Sequence, residues 1–143
     1  MSTLLGKAIA LASDLFKDKT DKAGEPYILH CIRVMMNSPK DEVSQCIAIL
    51  HDIVEDCGIT EQDLLKMGFP FLVVNGISIL SHIDPSMTYD DYIKRIARYP
   101  QLVPIKLADI KDNSDITRLK GITAKDIART EKYHRSYMYL SKL

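Results

Sequence analysis

The chain lacks net charge, long apolar runs and targeting signals. Its 19 lysines and arginines are balanced by 19 aspartates and glutamates, so no overall field draws it to nucleic acid or to an anionic membrane. No apolar run approaches the roughly 18 residues that a membrane span requires. Residues 1–7 carry no signal-peptide pattern, and no lipid-anchor motif closes the sequence. We therefore expect a cytoplasmic protein with no nucleic-acid partner and no membrane partner.

Cysteine is also scarce. Cys31, Cys46 and Cys57 are odd in number, show no Cys-x-x-Cys spacing and lie in apolar or helical sequence. This pattern indicates neither a disulfide framework nor a thiolate zinc site. We expect reduced thiols that serve mainly in packing.

What is present indicates an ordinary globular domain. The 143 residues are 46% hydrophobic and 27% charged, which is enough for one domain, 1–143, with a real core. Apolar residues recur at helical spacing, and no strand pair, repeat or low-complexity tract is evident. The sequence predicts an all-α fold, a compact single-domain helical bundle.

Eight helices are predicted from periodicity and from start and stop signals. Threonines at positions 60, 88 and 123 are expected to cap helix starts, and Gly58 is expected to end a helix in the left-handed conformation. Valine and isoleucine would also allow a strand in the sixth segment below, but the spacing favours a helix. The predicted segments are 3–16, 27–37, 41–56, 60–68, 71–82, 88–99, 103–119 and 123–140.

The third predicted helix carries four ionisable residues within an apolar stretch: His51, Asp52, Glu55 and Asp56. Side chains three and four residues apart share a helix face, so Asp52 is expected close to both later acids. Such a patch is costly to bury unless something pairs with it. A bound cation is the simplest partner.

Two further ionisable residues, His30 and Asp109, lie on apolar helical stretches of other segments. For His30 the alternative is a core histidine bonded to a backbone carbonyl. Asp109 would be expensive to bury alone, and metal coordination would offset that cost. Together with His51 and Asp52 they supply two imidazoles and two carboxylates, which suit Mn²⁺, Fe²⁺ or Zn²⁺ with water completing the coordination.

Three segments carry a resemblance to a known family: Gly-Glu-Pro-Tyr-Ile-Leu-His at 24–30, Leu-His-Asp-Ile-Val-Glu-Asp at 50–56, and Lys-Leu-Ala-Asp at 106–109 followed by Asn113. Over about residues 23–119 the sequence resembles the HD-domain phosphohydrolases, most closely the hydrolase domain of the RelA/SpoT and small alarmone hydrolase group. The resemblance implies an HD-domain helical bundle and a small-molecule nucleotide substrate. The implied reaction is removal of the 3′-pyrophosphate from (p)ppGpp.

The same resemblance implies one Mn²⁺ ion, held by His30, His51, Asp52 and Asp109, with Fe²⁺ and Zn²⁺ as alternatives. Glu55, one helical turn further on, is predicted to be the principal base or to orient the attacking water, with Asp56 assisting. Their alternative is an ordinary acidic helix terminus, although a helix C-terminus is the unfavourable end for acids.

Substrate contacts are predicted at Asn113, Lys19, Lys22 and Lys106. The alternatives are a capping or inter-helix bond for Asn113, solvated loop lysines at 19 and 22, and a surface lysine with a buried stem at 106. Three tyrosines, at 89, 92 and 99, are predicted to pack in the core, with base stacking as their alternative. The histidines at 82 and 134 are predicted to be structural.

The sequence departs from the family after Asp109. Family members carry an Arg-x-His-Asn-like run there, whereas this chain reads Ile110-Lys111-Asp112-Asn113. The loop 17–22 also has lysines but no arginine, and lysine is a point charge rather than a planar fork. Three alternatives therefore remain: hydrolysis of another nucleotide phosphate (a dNTP, a nucleoside monophosphate or NADPH), nucleotide binding without turnover, and a purely structural helical protein.

Overall fold

The computed structural model describes residues 3–143, and every regular element within that range is helical. This confirms the predicted all-α fold. The elements are α1 (Leu4–Phe16), α2 (Ile28–Met36), α3 (Glu42–Leu50), α4 (Ile53–Cys57), α5 (Glu61–Lys66), α6 (Phe71–Leu80), α7 (Tyr89–Ala97), α8 (Val103–Asn113), a 3₁₀ turn (Ile116–Arg118) and α9 (Ala124–Ser141).

Side-chain caps start most of these helices. The capping side chain accepts a hydrogen bond from the backbone N–H three residues further on, which is worth about 1 kcal/mol per helix. Gly58 ends α4 with a φ of 69°, as predicted from the sequence. The caps at Thr60, Thr88 and Thr123 confirm the predicted starts. The capping residues are Thr3, Asp41, Thr60, Thr88 and Thr123.

Helix α3 lies at the centre of the core and packs against α1, α2 and α6. Its last five residues, 46–50, are all buried. Gly76 on α6 permits the close approach of these two helices, because a Cβ there would lie 2.5 Å from Ile47 Cδ1. On the other side of the bundle, α8 packs between α2 and α9. Helices α2 and α8 and the end of α3 thereby meet.

The prediction of one helix over 41–56 was wrong in one respect, because the helix is interrupted at His51 and Asp52. The Ala48 carbonyl accepts the His51 Nδ1–H at 2.6 Å and also the His51 backbone N–H at 3.4 Å. This carbonyl is therefore used by a residue three positions on, and the regular α-helix ends. The turn matters for the site, since it brings the side chains of two consecutive residues to one place.

The predicted helix 103–119 ends earlier than expected, at Asn113. The Asp115 side chain accepts from the Thr117 backbone N–H at 3.1 Å and starts a 3₁₀ turn. Arg118 then donates to the Asp112 carbonyl, one of the last carbonyls of α8, at 3.0 Å. These local bonds replace the continued helix and turn Arg118 back toward α8.

The thiols are free, as expected: Cys31 and Cys46 are buried and Cys57 is half-buried. Within residues 3–143, no helix combines the length and the apolar character that crossing a membrane would need.

Candidate active site

Four side chains from three parts of the fold converge beside the core. His30 comes from α2, His51 and Asp52 come from the turn between α3 and α4, and Asp109 comes from α8. One nitrogen or oxygen atom of each lies within 4.8 Å of the others. The two histidines and Asp109 are only 2%, 3% and 5% exposed. The four candidate metal ligands predicted from the sequence therefore do meet in space.

The distances within this cluster are short. Asp109 Oδ1 lies 3.0 Å from His30 Nε2 and 3.1 Å from His51 Nε2. Asp52 Oδ2 lies 3.0 Å from His51 Nε2 and 3.6 Å from His30 Nε2. The two imidazole nitrogens and the two carboxylate oxygens thus lie close enough together to bind a single metal ion.

Both imidazole rings are turned so that Nε2 faces the cluster and Nδ1 faces away. His51 Nδ1 lies 2.6 Å from the Ala48 carbonyl, which can only accept, so this nitrogen carries the proton. His30 Nδ1 lies 2.6 Å from Asp112 Oδ2. His30 Nε2 is buried and has no hydrogen-bond partner among the described residues. A buried, unpartnered nitrogen next to carboxylates has the arrangement of a metal ligand.

The two carboxylates are oriented by neighbouring donors. Tyr27 donates its hydroxyl to Asp52 Oδ2 at 2.6 Å. Asp109 accepts from Lys106 Nζ at 2.8 Å and from Asn113 Nδ2 at 3.1 Å. The resulting set of two imidazoles and two carboxylates fits a borderline or hard divalent ion.

Charge pairing dominates the protonation of this cluster. Burial alone would lower the pKa of His30, but the neighbouring carboxylates of Asp109, Asp112 and Asp52 raise it to about 10. Burial would raise the pKa of Asp109, but the charge on Lys106 and the two imidazoles hold it well below its usual range. A metal ion entering the cluster must displace any proton on Nε2 of each imidazole, because only a neutral ring can coordinate.

A cavity of about 630 Å³ opens beside the cluster, a volume typical of small-molecule sites. Asp52 and Asp109 line it, so the two carboxylates of the cluster face its interior. Its other walls come from the loop before α2, from α4, α7 and α8, from the 3₁₀ turn and from α9. Six cations line these walls: Lys19, Lys22, Lys106, Arg118, Arg129 and Lys132.

The predicted catalytic acids, Glu55 and Asp56, lie on α4 and also line the cavity. Glu55 Oε1 accepts from the His82 backbone N–H at 2.5 Å, and its other oxygen has no partner among the described residues. Asp56 Oδ2 is instead paired with Lys19 Nζ at 3.0 Å. Partial burial raises the pKa of Glu55, opposed by the His82 N–H and reinforced by the charge on Asp52. Glu55 therefore has an oxygen available to a water in the cavity and, unlike Asp56, forms no ion pair with a described residue.

All four predicted substrate contacts line the cavity. Lys19 is held by Asp56 and lies over Tyr27, with its Nζ 4.2 Å from the ring centroid. Lys106 is only 8% exposed, so the alternative of a surface lysine is wrong. The Asn113 amide bonds Asp109 within α8, which makes it a support for a candidate metal ligand as well as a cavity residue. The contacts of these residues with substrate stay predictions.

The sequence interpretation missed three cations of the cavity: Arg118, Arg129 and Lys132. The sequence lacks the family arginine after Asp109, but two arginines from other segments reach the same cavity. Arg129 and Lys132 are three residues apart on α9, so their shared helix face was a usable signal. Arg118 gave no such signal, because its position depends on the early end of α8.

Some of the remaining tyrosines and histidines line the cavity, and others lie outside it. Tyr89 and Tyr92 line the cavity, and Tyr99 does not. Tyr92 is 2% exposed and donates to the Leu80 carbonyl at 2.5 Å, in keeping with the predicted packing role. His82 lines the cavity while its Nε2 lies 2.7 Å from the Met87 carbonyl. His134 is exposed and lies outside the cavity wall.

Comparison with solved structures defines the class of fold. No family model matches the chain. The fold matches a solved structure of a metazoan ortholog of SpoT, which is described as hydrolysing ppGpp and acting in starvation responses. The TM-score is 0.81 at 22% sequence identity, with 98% of this chain and 86% of that chain covered. The chain therefore has the all-α HD-domain fold.

Sequence comparison identifies relatives of the same group. The chain is 35% identical over 63 residues to the guanosine-3′,5′-bis(diphosphate) 3′-pyrophosphohydrolase of Vibrio cholerae, covering 42% of this chain and 9% of that protein. It is 29% identical over 144 residues to the "Probable guanosine-3′,5′-bis(diphosphate) 3′-pyrophosphohydrolase" of Synechocystis, covering 92% of this chain and 18% of that protein. A GTP pyrophosphokinase of Myxococcus xanthus is 26% identical over 113 residues, covering 76% of this chain and 15% of that protein.

The chain thus spans less than a fifth of the length of these curated relatives. Together with the fold, they confirm the resemblance to the RelA/SpoT-type hydrolases predicted from the three motifs. The roles of the individual site residues stay predictions.

Proposed function

We propose that this chain is a metal-dependent phosphohydrolase that removes the 3′-pyrophosphate from ppGpp. One observation carries the proposal: two imidazoles and two carboxylates converge at a cavity whose other walls are lined with six cations. The similarity to proteins named as ppGpp 3′-pyrophosphohydrolases supports the same reaction. The substrate is a small nucleotide, and neither a nucleic acid nor a membrane is required. A cytoplasmic location and a single domain stay predictions.

His30, His51, Asp52 and Asp109 are the proposed ligands of one divalent ion. Mn²⁺ is the first candidate, with Fe²⁺ and Zn²⁺ as the alternatives that the same donor set allows. When bound, such an ion supplies an acidified water and offsets the charge on the phosphoryl oxygens.

Glu55 is the proposed proton acceptor for the attacking water. Glu55 lines the cavity and has one carboxylate oxygen without a partner among the described residues. Its raised pKa brings it closer to neutral pH, where a general base is most effective. The water oxygen bonds to the phosphorus, the bond from that phosphorus to the 3′ oxygen breaks, and the 3′ oxygen takes up a proton as pyrophosphate leaves. Asp56 assists by fixing Lys19 at 3.0 Å.

The cations that line the cavity are proposed to bind the phosphates. A bis(diphosphate) nucleotide is strongly anionic, and guanidinium groups can bind phosphate oxygens in a bidentate manner. Arg129 and Lys132 on α9 line the cavity and bond none of the four candidate ligands, so one diphosphate is proposed to lie beside them while the other meets the metal ligands.

The test is release of pyrophosphate from ppGpp by the Mn²⁺-loaded protein. We expect turnover that a chelator removes and that Asp52→Ala abolishes. Asp14→Asn is the control, because Asp14 lies on the exposed side of α1, which contributes no residue to the cavity. Metal-independent turnover by Asp52→Ala would contradict the mechanism.

The substrate panel should include a dNTP, a nucleoside monophosphate and NADPH, because the cavity cations recognise phosphate rather than a particular base. Turnover of one of these without turnover of ppGpp would reassign the substrate and keep the chemistry. Tight metal-dependent nucleotide binding with no turnover of any of them would instead identify a binding module.

A further inference from the structure

Asp112 stands outside the four candidate metal ligands but is bonded to one of them. Its Oδ2 lies 2.6 Å from His30 Nδ1, the ring nitrogen that faces away from the cluster. The same carboxylate accepts from two arginines. Arg33 donates to both oxygens at 2.6 and 3.1 Å, and Arg118 Nη1 donates to Oδ1 at 2.9 Å. The side chains of His30 and Asp112 are 2% and 11% exposed, so the bond between them is largely shielded from water.

We propose that Asp112 is a positioning residue that fixes His30 as a metal ligand through Nε2, and that Arg33 and Arg118 hold Asp112 for this task. The inference rests on the proposed metal centre. Asp112 is also the residue at which this sequence has aspartate in place of the histidine of the Arg-x-His-Asn-like run.

The effect of Asp112 on His30 follows from imidazole chemistry. A neutral imidazole carries one proton, and the nitrogen without it is the one that can coordinate a metal. A carboxylate at Nδ1 keeps the proton there, leaves the Nε2 lone pair to the cluster and makes the ring a stronger ligand. The orientation is already present here, because His30 Nε2 faces Asp109 Oδ1 at 3.0 Å.

The two arginines explain why Asp112 positions a ligand without becoming one. Four donor atoms reach its two oxygens: His30 Nδ1, Arg33 Nε, Arg33 Nη2 and Arg118 Nη1. An ionised carboxylate offers about four lone-pair positions, so none is left for a cation. Burial would raise the pKa of Asp112, but hydrogen bonds from His30, Arg33 and Arg118 hold it well below its usual range.

The network links three elements of the fold: α2, α8 and the 3₁₀ turn. His30 and Arg33 are one turn apart on α2, Asp112 is in the last turn of α8, and Arg118 is in the 3₁₀ turn. Arg118 also bonds the Asp112 carbonyl at 3.0 Å and lines the cavity. The 3₁₀ turn that ends α8 early therefore connects the cavity wall to the orientation of His30.

The test is Mn²⁺ titration of metal-free protein by calorimetry, with wild type, Asp112→Asn and Asp112→Ala. We expect Asp112→Ala to weaken binding by about 10- to 100-fold, as loss of such a hydrogen bond to a metal-bound histidine does. Asp112→Asn keeps an acceptor oxygen and should lose less. Asp14→Asn is the control, because it removes a carboxylate of α1 that pairs with Lys17 and bonds no member of the Asp112 network. Its Mn²⁺ affinity should equal that of wild type.

Two outcomes separate this inference from the proposed function. If wild type binds Mn²⁺ and Asp112→Ala binds it equally well, the positioning role is overturned while the metal centre stands. If wild type binds no divalent ion, the metal centre and this inference both fail.

A second readout keeps the test decisive if Asp112→Ala does not fold. In Zn²⁺-loaded, ¹⁵N-labelled protein, the His30 Nδ1 proton should be protected from exchange and shifted downfield by its bond to Asp112. The Asp112→Asn variant, with its fold verified by circular dichroism, should move this resonance upfield. An unchanged Nδ1 resonance would overturn the proposal.

Discussion

The two sides of the cavity differ in how firmly their charged groups are held. On the metal side, His30, His51 and Asp109 are almost fully buried, and each is oriented by at least one hydrogen bond. On the basic side, formed by Lys22, Arg129 and Lys132, Lys22 is exposed, and Arg129 is half-buried and paired with a carboxylate on its own helix. The metal side is built before any ligand arrives, whereas the basic side can adjust to what it binds.

This difference predicts a division of labour. Groups fixed in a low-dielectric site act on the reacting atoms without reorganising, which raises kcat. Cations away from the reacting atoms bind substrate and transition state alike, so they mainly lower KM. Substitutions on the metal side should therefore abolish turnover, and substitutions on the basic side should weaken substrate binding.

The largest expected effect is loss of a metal ligand. His51→Ala should lose bound Mn²⁺ and reduce turnover of ppGpp more than about 1,000-fold, because a metal supplies several kcal/mol of transition-state stabilisation. Metal content is measured by elemental analysis and turnover by pyrophosphate release. A His51→Ala variant that retains both would remove the distinction between the two sides.

Next in size is the effect of Glu55→Gln. Loss of a general base should lower kcat by about 10²- to 10⁴-fold while leaving Mn²⁺ content unchanged. The base acts when ionised, and burial raises the pKa of Glu55, so wild-type activity should fall as the pH drops through that raised value. Glu55→Gln should lack this acid limb. A pH–rate profile that keeps the same limb in the variant would assign the base elsewhere.

A smaller effect is expected on the basic side, from Arg129→Gln. Loss of a charged hydrogen bond to phosphate is worth about 1.5–3 kcal/mol, so KM should rise about 10- to 100-fold with kcat little changed. Arg135→Gln is the control, because Arg135 lies on the same helix, is exposed and pairs with Glu131. A fall in kcat with an unchanged KM would show that Arg129 acts on the reacting atoms instead.

The smallest effect should follow from loosening the helix that carries the basic side. Thr123 caps α9, and Thr123→Ala should destabilise the protein by about 1 kcal/mol. Because α9 supplies none of the four candidate ligands, Mn²⁺ affinity should not change. Thermal melting measures the first effect and calorimetry the second. A parallel loss of metal affinity would mean that the two sides are coupled.

The same division separates what the sequence could predict from what it could not. Histidines and aspartates inside apolar helical stretches are costly to bury without a partner, and this cost is visible in the sequence. His30, His51, Asp52 and Asp109 were predicted as metal ligands on this basis. Cations at the surface are no anomaly, so Arg118 and Arg129 were missed. Helix starts at threonine caps were predictable from local sequence.

The break at His51 could not be read from periodicity. It depends on a side chain capturing the Ala48 carbonyl, and that ring orientation is fixed only when α2 and α8 pack nearby. Likewise, the early end of α8 depends on Arg118 returning to the Asp112 carbonyl. Both departures from regular helix occur where side chains outcompete the backbone, and both adjoin the candidate site.

The central claim is tested most directly by incubating the wild-type protein with ppGpp and measuring pyrophosphate release before and after removal of Mn²⁺. The account predicts stoichiometric release of pyrophosphate that stops with a chelator and returns when Mn²⁺ is restored. Release that continues unchanged in the metal-free protein, or no release from any nucleotide phosphate with Mn²⁺ bound, would contradict it.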